Sequence, residues 1–345
     1  MSNYPITQLH ITPMRLPVTK ILLPVLLLAA LLLPLGARPY VLSLAIEVMA
    51  FAIFAMSLDL LLGYTGLPSF GHAAFFGLGA YTAAYLSSNH PLALGLTSNL
   101  LLLLPVVVLV TAVTALFVGF FALRTSGVYF LMITLAFAQM LFSVAIRWTA
   151  VTGGSDGLPG IPAPHITLGP LQWLINSRQA YYFLALAFFV LTYWLLRRLV
   201  NSPFGWTLRG IRENEARMQA LGYATFRYKI AVFIIAGVFA GLGGMLLALH
   251  FRHASPENLY WTISGQVMIM VIIGGAGTLT GPILGALLVR LFPQIASSYL
   301  DRWETVEGVI FILFVLFAPR GIHGIYVYWC SRVQVFTWAR KLLNT

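Results

Sequence analysis

Apolar runs long enough to cross a membrane recur along most of this chain of 345 residues. A membrane-spanning helix needs about 20 consecutive apolar residues, because the hydrocarbon core of a bilayer is about 30 Å thick. Only 8% of the residues carry a charge, whereas about 25% do so in soluble domains. The chain cannot cover a surface that faces water, and the sequence therefore predicts an integral membrane protein.

The positions of these runs predict an all-α polytopic bundle of about ten transmembrane segments. The segments at 70–87 and 263–275 are short and adjoin glycine-rich sequence. They are candidates for broken or re-entrant helices, which occur where the backbone lines a cavity or is buried in protein. The predicted segments are 21–37, 41–62, 70–87, 99–122, 127–147, 180–198, 229–249, 263–275, 282–299 and 305–319.

The basic residues set the expected orientation, because Lys and Arg are retained on the cytoplasmic side of a membrane. Residues 197–229 carry seven of the chain's 20 Lys and Arg, which places this loop and both termini in the cytoplasm. Residues 1–37 have features of a signal peptide, but the nine segments that follow favour an uncleaved first helix. The expected parts are a cytoplasmic segment at 1–20, a membrane domain at 21–320 with a cytoplasmic loop at 199–228 and an external loop at 148–179, and a cytoplasmic or interfacial tail at 321–345.

The basic loop at 197–229 also predicts an ordered helix. Ser202 and Pro203 are typical of a helix start, and Gly222 is typical of a helix end. A helix of this kind on the cytoplasmic face offers a docking surface for a soluble partner. The alternative is a basic anchor for anionic lipid head groups, which the length of the loop and its two glutamates disfavour.

The remaining composition excludes several classes of function. The single cysteine, Cys330, excludes an internal disulfide and a cysteine metal cluster. The sequence has no phosphate-binding loop and no close grouping of metal ligands. The net charge of +11 is explained by the retention of Lys and Arg in cytoplasmic loops rather than by nucleic-acid binding. We therefore expect a chain with no catalytic residues, no metal and no cofactor of its own.

Four groups of motifs, spread between residues 40 and 322, resemble one family. They are LLLGYTGLPSFGHAAFFGLGAY at 60–81, LRTSGVY at 123–129 with TGGSDGLPGIP at 152–162, SPFG at 202–205 with RENE at 212–215, and GGAGTLTGP at 274–282. In this order they are similar to the permease subunits of the branched-chain amino acid type of ABC importers. This LivM-like family includes the permeases of urea and short-chain amide importers.

The resemblance implies a heteromeric importer in the bacterial cytoplasmic (inner) membrane. Two permease subunits would form the path, two cytoplasmic ATPases would hold ATP and magnesium, and a periplasmic or extracellular binding protein would deliver the solute. The solute would be a branched-chain or other amino acid, with urea or an amide as the alternative. Membrane lipid is the remaining partner, and no nucleic acid is expected.

Within this resemblance, the loop at 199–228 would couple the permease to its ATPase. Glu215-Ala216 and Gly222 resemble the family's Glu-Ala-Ala…Gly pattern, from which the chain departs at Arg217. This departure leaves open which residues of the loop contact the ATPase, but not the coupling role of the loop. The predicted coupling residues are Arg209, Arg212, Glu213, Glu215, Ala216, Ala220 and Gly222.

Two glycine-rich stretches are candidates for handling the solute. The first stretch, at 63–79, allows close helix packing, or a broken helix that presents backbone groups to a zwitterionic solute. The second stretch, at 153–157, is either a solvated turn or an external docking or gating loop. The candidates on the path are Gly66, Ser69, Gly71, His72, Gly77 and Tyr81, and those in the external loop are Gly153, Gly154, Asp156 and Gly157.

Charges inside the apolar segments leave a different class of function open. Glu47 and Asp59 lie in one predicted segment, where a charge usually faces a cavity or a partner. An ion-coupled secondary transporter would need such carboxylates. Arg290 is predicted to pair with Glu307 in a structural role.

Overall fold

The computed structural model describes residues 31–34, 36, 38–168, 171–299, 302–317, 321, 322 and 324. Cys330, the predicted segment 1–20, and most of 21–37 and 321–345 lie outside these residues. The helices are α1 Pro39–Asp59 with a π-helical extension Leu60–Thr65, α2 His72–Ser87, α3 Leu100–Ala122, α4 Val128–Arg147, α5 Thr149–Thr152, α6 Arg178–Val200, α7 Pro203–Ala220, α8 Thr225–Phe251, α9 Trp261–Gly274, α10 Thr280–Ala296 and α11 Trp303–Phe317.

Five of the described helices are long and apolar enough to cross a membrane. They are α1 with its extension, α3, α4, α6 and α8, and they correspond to the predicted segments at 41–62, 99–122, 127–147, 180–198 and 229–249. The two segments expected to be short are short: α2 has 16 residues and α9 has 14. The chain is thus a multi-pass helical membrane protein, while the count of ten segments and the orientation of the termini stay predictions.

Helices α1 and α8 form the centre of the bundle. Buried residues make up 72% of the most apolar stretch of α1 and its extension and 67% of that of α8, but only 22–28% in α3, α4 and α6. A helix that is apolar on all sides is suited to such a buried position. The exposed apolar sides of α3, α4 and α6 instead suit lipid or another subunit.

Small residues allow the central helices to approach closely. A Cβ atom on Gly79 of α2 would overlap the carbonyl group of Gly241 in α8. Similarly, a Cβ atom on Gly244 would overlap the backbone of Phe76. These contacts bring the two backbones together without side chains between them, which is how helices pack tightly in a membrane.

The two ends of the bundle differ in structure. The strand end carries two small antiparallel sheets, an addition to the all-α prediction: β1 Leu158–Pro159 pairs with β4 His253–Ala254, and β2 His165–Leu168 pairs with β3 Leu171–Leu174. The opposite end, called the α7 end here, holds α7, the π-helical extension of α1 and the turn between α9 and α10.

The carboxylate of Asp59 joins α1 to the turn between α9 and α10. It is fully buried and accepts hydrogen bonds from the backbone N–H groups of Gly277, at 2.7 Å, and Leu279, at 3.1 Å. Gly63 lies so close that a Cβ atom there would overlap both Asp59 and Gly277. The partner of Asp59 is therefore the backbone of the same chain. The sequence alone indicated that Asp59 faces either a cavity or a partner, and it did not distinguish the two.

Replacing Asp59 with Asn should destabilise the folded permease. The amide retains one acceptor oxygen, but its NH₂ group then faces a backbone donor, and loss of a buried hydrogen bond to a charged group costs about 1.5–3 kcal/mol. The measurement is thermal unfolding of the purified protein in detergent. Asp156→Asn, at an exposed aspartate of the strand end, is the matched control. Equal melting temperatures for the two variants would contradict this account of Asp59.

Candidate functional site

Helix α7 begins and ends where the sequence indicates. Ser202 is its N-cap, Pro203 occupies its first position, and Gly222 adopts a left-handed conformation with φ +87° just beyond its end. Its backbone breaks at Asn214, with φ −160° and ψ 97°. The Asn214 side chain accepts a hydrogen bond from the Arg217 N–H at 2.9 Å, and so caps the part of the helix that follows.

One face of α7 packs on the bundle and the other is exposed. Leu208 and Ile211 are buried between α7 and the rest of the bundle. Outside this buried face, Trp206 is 62% exposed and Leu221 is 67% exposed. Large apolar groups rimmed by charge are typical of surfaces that bind protein partners. Among the predicted coupling residues, Arg212, Glu213, Ala216, Ala220 and Gly222 are exposed, while Arg209 and Glu215 are partly buried.

Two arginines of α7 contact the π-helical extension of α1. Arg212 Nη1 donates a hydrogen bond to the carbonyl of Gly63. Arg209 lies over the rings of Trp206, at 4.6 Å, and Tyr64, at 5.2 Å, which are cation–π distances. The cationic side of α7 is thus attached to the π-helical extension.

A cleft of about 500 Å³ lies where these elements meet. Residues of α7, of the π-helical extension and of the turn between α9 and α10 line it together. Its lining residues include Arg209, Arg212, Glu213, Ala276 and Gly277. The cleft places the exposed arginine face of α7 directly beside the turn that Asp59 holds.

Glu215 is engaged inside the chain rather than left free. Its carboxylate lies 2.6 Å from Lys229 Nζ and accepts a hydrogen bond from the Thr225 hydroxyl at 3.0 Å. Gln219 donates to the same hydroxyl at 3.1 Å. These contacts fix the second half of α7 to the start of α8. Sequence reasoning missed Thr225 and Lys229, although a lysine at the start of an apolar helix is a signal of a charged partner.

Most of the predicted path residues are packed in the core. Ser69 and His72 are fully buried, and His72 Nε2 lies 2.9 Å from the Ser57 hydroxyl. A Cβ atom on Gly71 would overlap the backbone of Thr134, and one on Gly77 would overlap Leu259. Close packing therefore explains the glycines at 71 and 77.

The remaining two path candidates have different surroundings. Gly66 has φ +76°, ends the π-helical extension and lies against Arg212 at the α7 end. Tyr81 lines a cavity of about 310 Å³ at the strand end. The structure thus separates the six predicted path residues along the bundle and places Tyr81 at the strand-end cavity.

The glycine-rich part of the predicted external loop, residues 153–157, forms a turn around a short 3-10 helix at Gly154–Asp156 of the strand end. Gly153, Gly154 and Gly157 all have positive φ, between 64° and 74°. A Cβ atom on Gly157 would also overlap the carbonyl of Ala254 in β4. Asp156 is exposed beside them. Turn geometry accounts for the three glycines, and the docking or gating role stays a prediction.

Arg290, inside the membrane domain, forms an ion pair that the sequence did not predict. Arg290 Nη2 lies 3.0 Å from Glu47 Oε1, and its guanidinium lies 3.6 Å from the centre of the Phe51 ring. The ion pair joins α10 to α1, and Glu307, the predicted partner, interacts with Arg290 electrostatically without a direct contact. Both carboxylates that an ion-coupled transporter would need are therefore held by groups of this chain.

No group of three metal-ligating side chains occurs in the part of the chain that the structure describes.

These features define a multi-pass membrane protein in which a partly exposed amphipathic helix is attached to the π-helical extension of a central helix. The family model described as "Branched-chain amino acid transport system / permease component" matches residues 40–318. The chain belongs to this family of permease components, as its motifs indicate.

Named relatives support this membership. The high-affinity branched-chain amino acid transport system permease protein LivM of Salmonella typhimurium is 29% identical over 323 residues, which cover 86% of this chain and 74% of the relative. The LivM protein of Escherichia coli K12 gives the same figures. The probable LivM protein of Methanocaldococcus jannaschii is 25% identical over 316 residues, with 78% and 89% covered. No solved structure matches the chain.

Reversing the charge of Glu215 should detach α7 from α8. Glu215→Lys places two cations together where an ion pair and a hydrogen bond now lie. We expect trypsin to cleave after Arg217 several-fold faster than in the wild-type protein. The measurement is limited proteolysis of the purified permease followed by mass spectrometry.

Two further variants isolate this interaction. Glu213→Lys makes the same change at the neighbouring exposed glutamate and should leave the cleavage rate unchanged. Glu215→Lys combined with Lys229→Glu restores opposite charges and should recover most of the protection. Wild-type proteolysis of the single Glu215→Lys variant would show that the ion pair does not hold α7.

Proposed function

We propose that this chain is a permease subunit of an ATP-driven ABC importer in the bacterial cytoplasmic membrane. It pairs with a second, homologous permease subunit, and its α7 end faces two cytoplasmic ATPases that hold ATP and magnesium. A periplasmic or extracellular binding protein delivers the solute to the strand end. The solute is a branched-chain amino acid, since the relatives named above carry this substrate in their names. Urea or a short-chain amide is the alternative.

The arrangement of α7 carries this proposal. The helix presents Trp206, Leu221 and several charges outward, while Arg212 reaches inward to the carbonyl of Gly63. A partner that moves α7 therefore acts directly on the π-helical extension of α1. The sequence contains no phosphate-binding loop, so an importer that uses ATP needs a separate ATPase chain.

We further propose that coupling operates through the cleft at the α7 end. ATPase movement shifts α7, and Arg212 transmits the shift to the π-helical extension beside the Asp59-held turn. Helix interfaces of this kind change in discrete steps because packed cores do not deform continuously. The ion-coupled alternative receives no support, because Glu47 and Asp59 are both engaged.

The test is transport by the purified complex in proteoliposomes, with the binding protein present. We expect leucine uptake that requires ATP inside the vesicle when the chain is oriented with α7 inward. Ala216→Trp, on the exposed surface of α7, should reduce ATPase association and uptake at least tenfold. Ser155→Trp, an exposed site at the strand end, is the control for ATPase association. Uptake driven by a proton or sodium gradient without ATP would contradict the proposal.

A further inference from the structure

The exposed sides of the long membrane helices differ in polarity. In the middle turns of α3 and α6 every exposed residue is apolar. Leu109, Val113 and Phe117 are examples on α3, and Phe183 and Leu191 are examples on α6. Side chains of this kind suit contact with the hydrocarbon of the bilayer.

The exposed side of α4 has a different composition. Five exposed residues recur at intervals of three or four, which places them on one side of the helix. They are Met132, Ala136, Met140, Ser143 and Arg147, and they are called the α4 face here. The opposite side carries Thr134 and Ala138, which are buried in the bundle. The α4 face thus combines two polar side chains, a small residue and two methionines.

The start of α9 extends this polar character. Tyr260, the N-cap of α9, lies beside α4, with its ring centre 4.7 Å from that of Phe142. Thr262 and Gln266 of α9 are exposed. Gln266 is the sixth of the 14 residues of the helix, so its amide is remote from both helix ends.

Lipid is an unfavourable neighbour for this surface. An amide or hydroxyl group in hydrocarbon has no hydrogen-bond partner, and this costs free energy. Polar residues within membrane segments therefore face the protein interior, a cavity or another protein. Small residues and serine, threonine and glutamine side chains are enriched where membrane helices pack on each other, and methionine adapts to irregular contacts. These preferences indicate a protein partner for the α4 face.

The described ends of the chain lie away from the α4 face. Before α1, the Pro34 carbonyl accepts a hydrogen bond from Gln179 of α6 at 3.3 Å, and α6 packs chiefly against α1. After α11, Gly321 lies against Gly275 at the α7 end. The α4 face instead reaches the strand end at Arg147, where α5 follows. The positions of these ends favour a separate subunit as the partner.

We propose that the second permease subunit packs on the α4 face and on the adjoining part of α9 around Gln266. Polar groups of that subunit pair with the Ser143 hydroxyl and the Gln266 amide, while the exposed sides of α3 and α6 face lipid. This rests on the proposed function, which supplies the second permease subunit. It adds which side of the chain that subunit contacts.

The first experiment changes one exposed alanine on each of two helices. Ala136→Trp adds a bulky side chain to the α4 face, and Ala187→Trp makes the same change on the exposed side of α6. The tagged chain is purified from membranes with its complex, and the second permease subunit is measured per tagged chain. We expect Ala136→Trp to lower this ratio at least fivefold and Ala187→Trp to change it less than twofold. Equal ratios for the two variants would overturn the proposal.

The second experiment does not depend on disrupting the complex. The photo-reactive amino acid p-benzoylphenylalanine replaces Met140, which is 49% exposed on α4, or Val113, which is 57% exposed on α3. The purified complex in nanodiscs is irradiated, and the linked species are identified by mass spectrometry. We expect position 140 to link to the second permease subunit at least fivefold more than position 113, which links to lipid. Links to lipid alone from both positions would overturn the proposal.

The remaining outcomes separate the interface from the proposed function. A link from position 140 to residues 325–345 of this chain, or to a second copy of it, would overturn the choice of partner. A complex that contains the second permease and imports leucine with ATP, but links only to lipid at position 140, would overturn the interface and leave the proposed function intact. An active complex without a second permease subunit would overturn both.

Discussion

The buried carboxylate of Asp59 is the interaction on which the α7 end depends. It binds two backbone N–H groups in the turn between α9 and α10, so the end of the central helix and a distant part of the chain share one hydrogen-bonded centre. Gly63, one turn later, must lack a side chain because the same turn occupies that space. The carbonyl of Gly63 then accepts from Arg212. A connected set of polar contacts thus links α7, α1 and the turn between α9 and α10.

This network attaches α7 to the end of the central helix, at the π-helical extension Leu60–Thr65. A helix that simply ended at Thr65 would leave its last carbonyl groups unpaired, which is unfavourable away from water. Here the guanidinium group of Arg212 donates a hydrogen bond to one of these carbonyls, that of Gly63. A shift of α7 would therefore disturb the π-helical extension. The ion pair of Glu215 with Lys229 holds the other half of α7 to α8. The break at Asn214 separates these two attachments.

Local features of this protein were predictable from sequence, and long-range ones were not. Ser202, Pro203 and Gly222 mark the limits of α7 because capping depends on residues a few positions apart. The five long helices follow from apolar length alone. Periodicity does not specify pairings between distant residues, so the direct ion pair of Arg290 with Glu47 needed the structure. The same limit explains why glycines at 71 and 77 were candidates for a path: a glycine required for packing and one required for a ligand look alike in sequence.

The most direct test of the account is to fix α7 to the neighbouring turn in the assembled transporter. Glu213→Cys and Ala276→Cys, two positions that line the same cleft, are joined by a reducible bifunctional thiol reagent in a Cys330→Ser background. ATP-driven uptake in proteoliposomes is measured before linking, after linking and after reduction, with each single cysteine variant as a control. If coupling operates through this cleft, the link lowers uptake at least tenfold and reduction restores it. Undiminished uptake by the fully linked transporter would contradict the account.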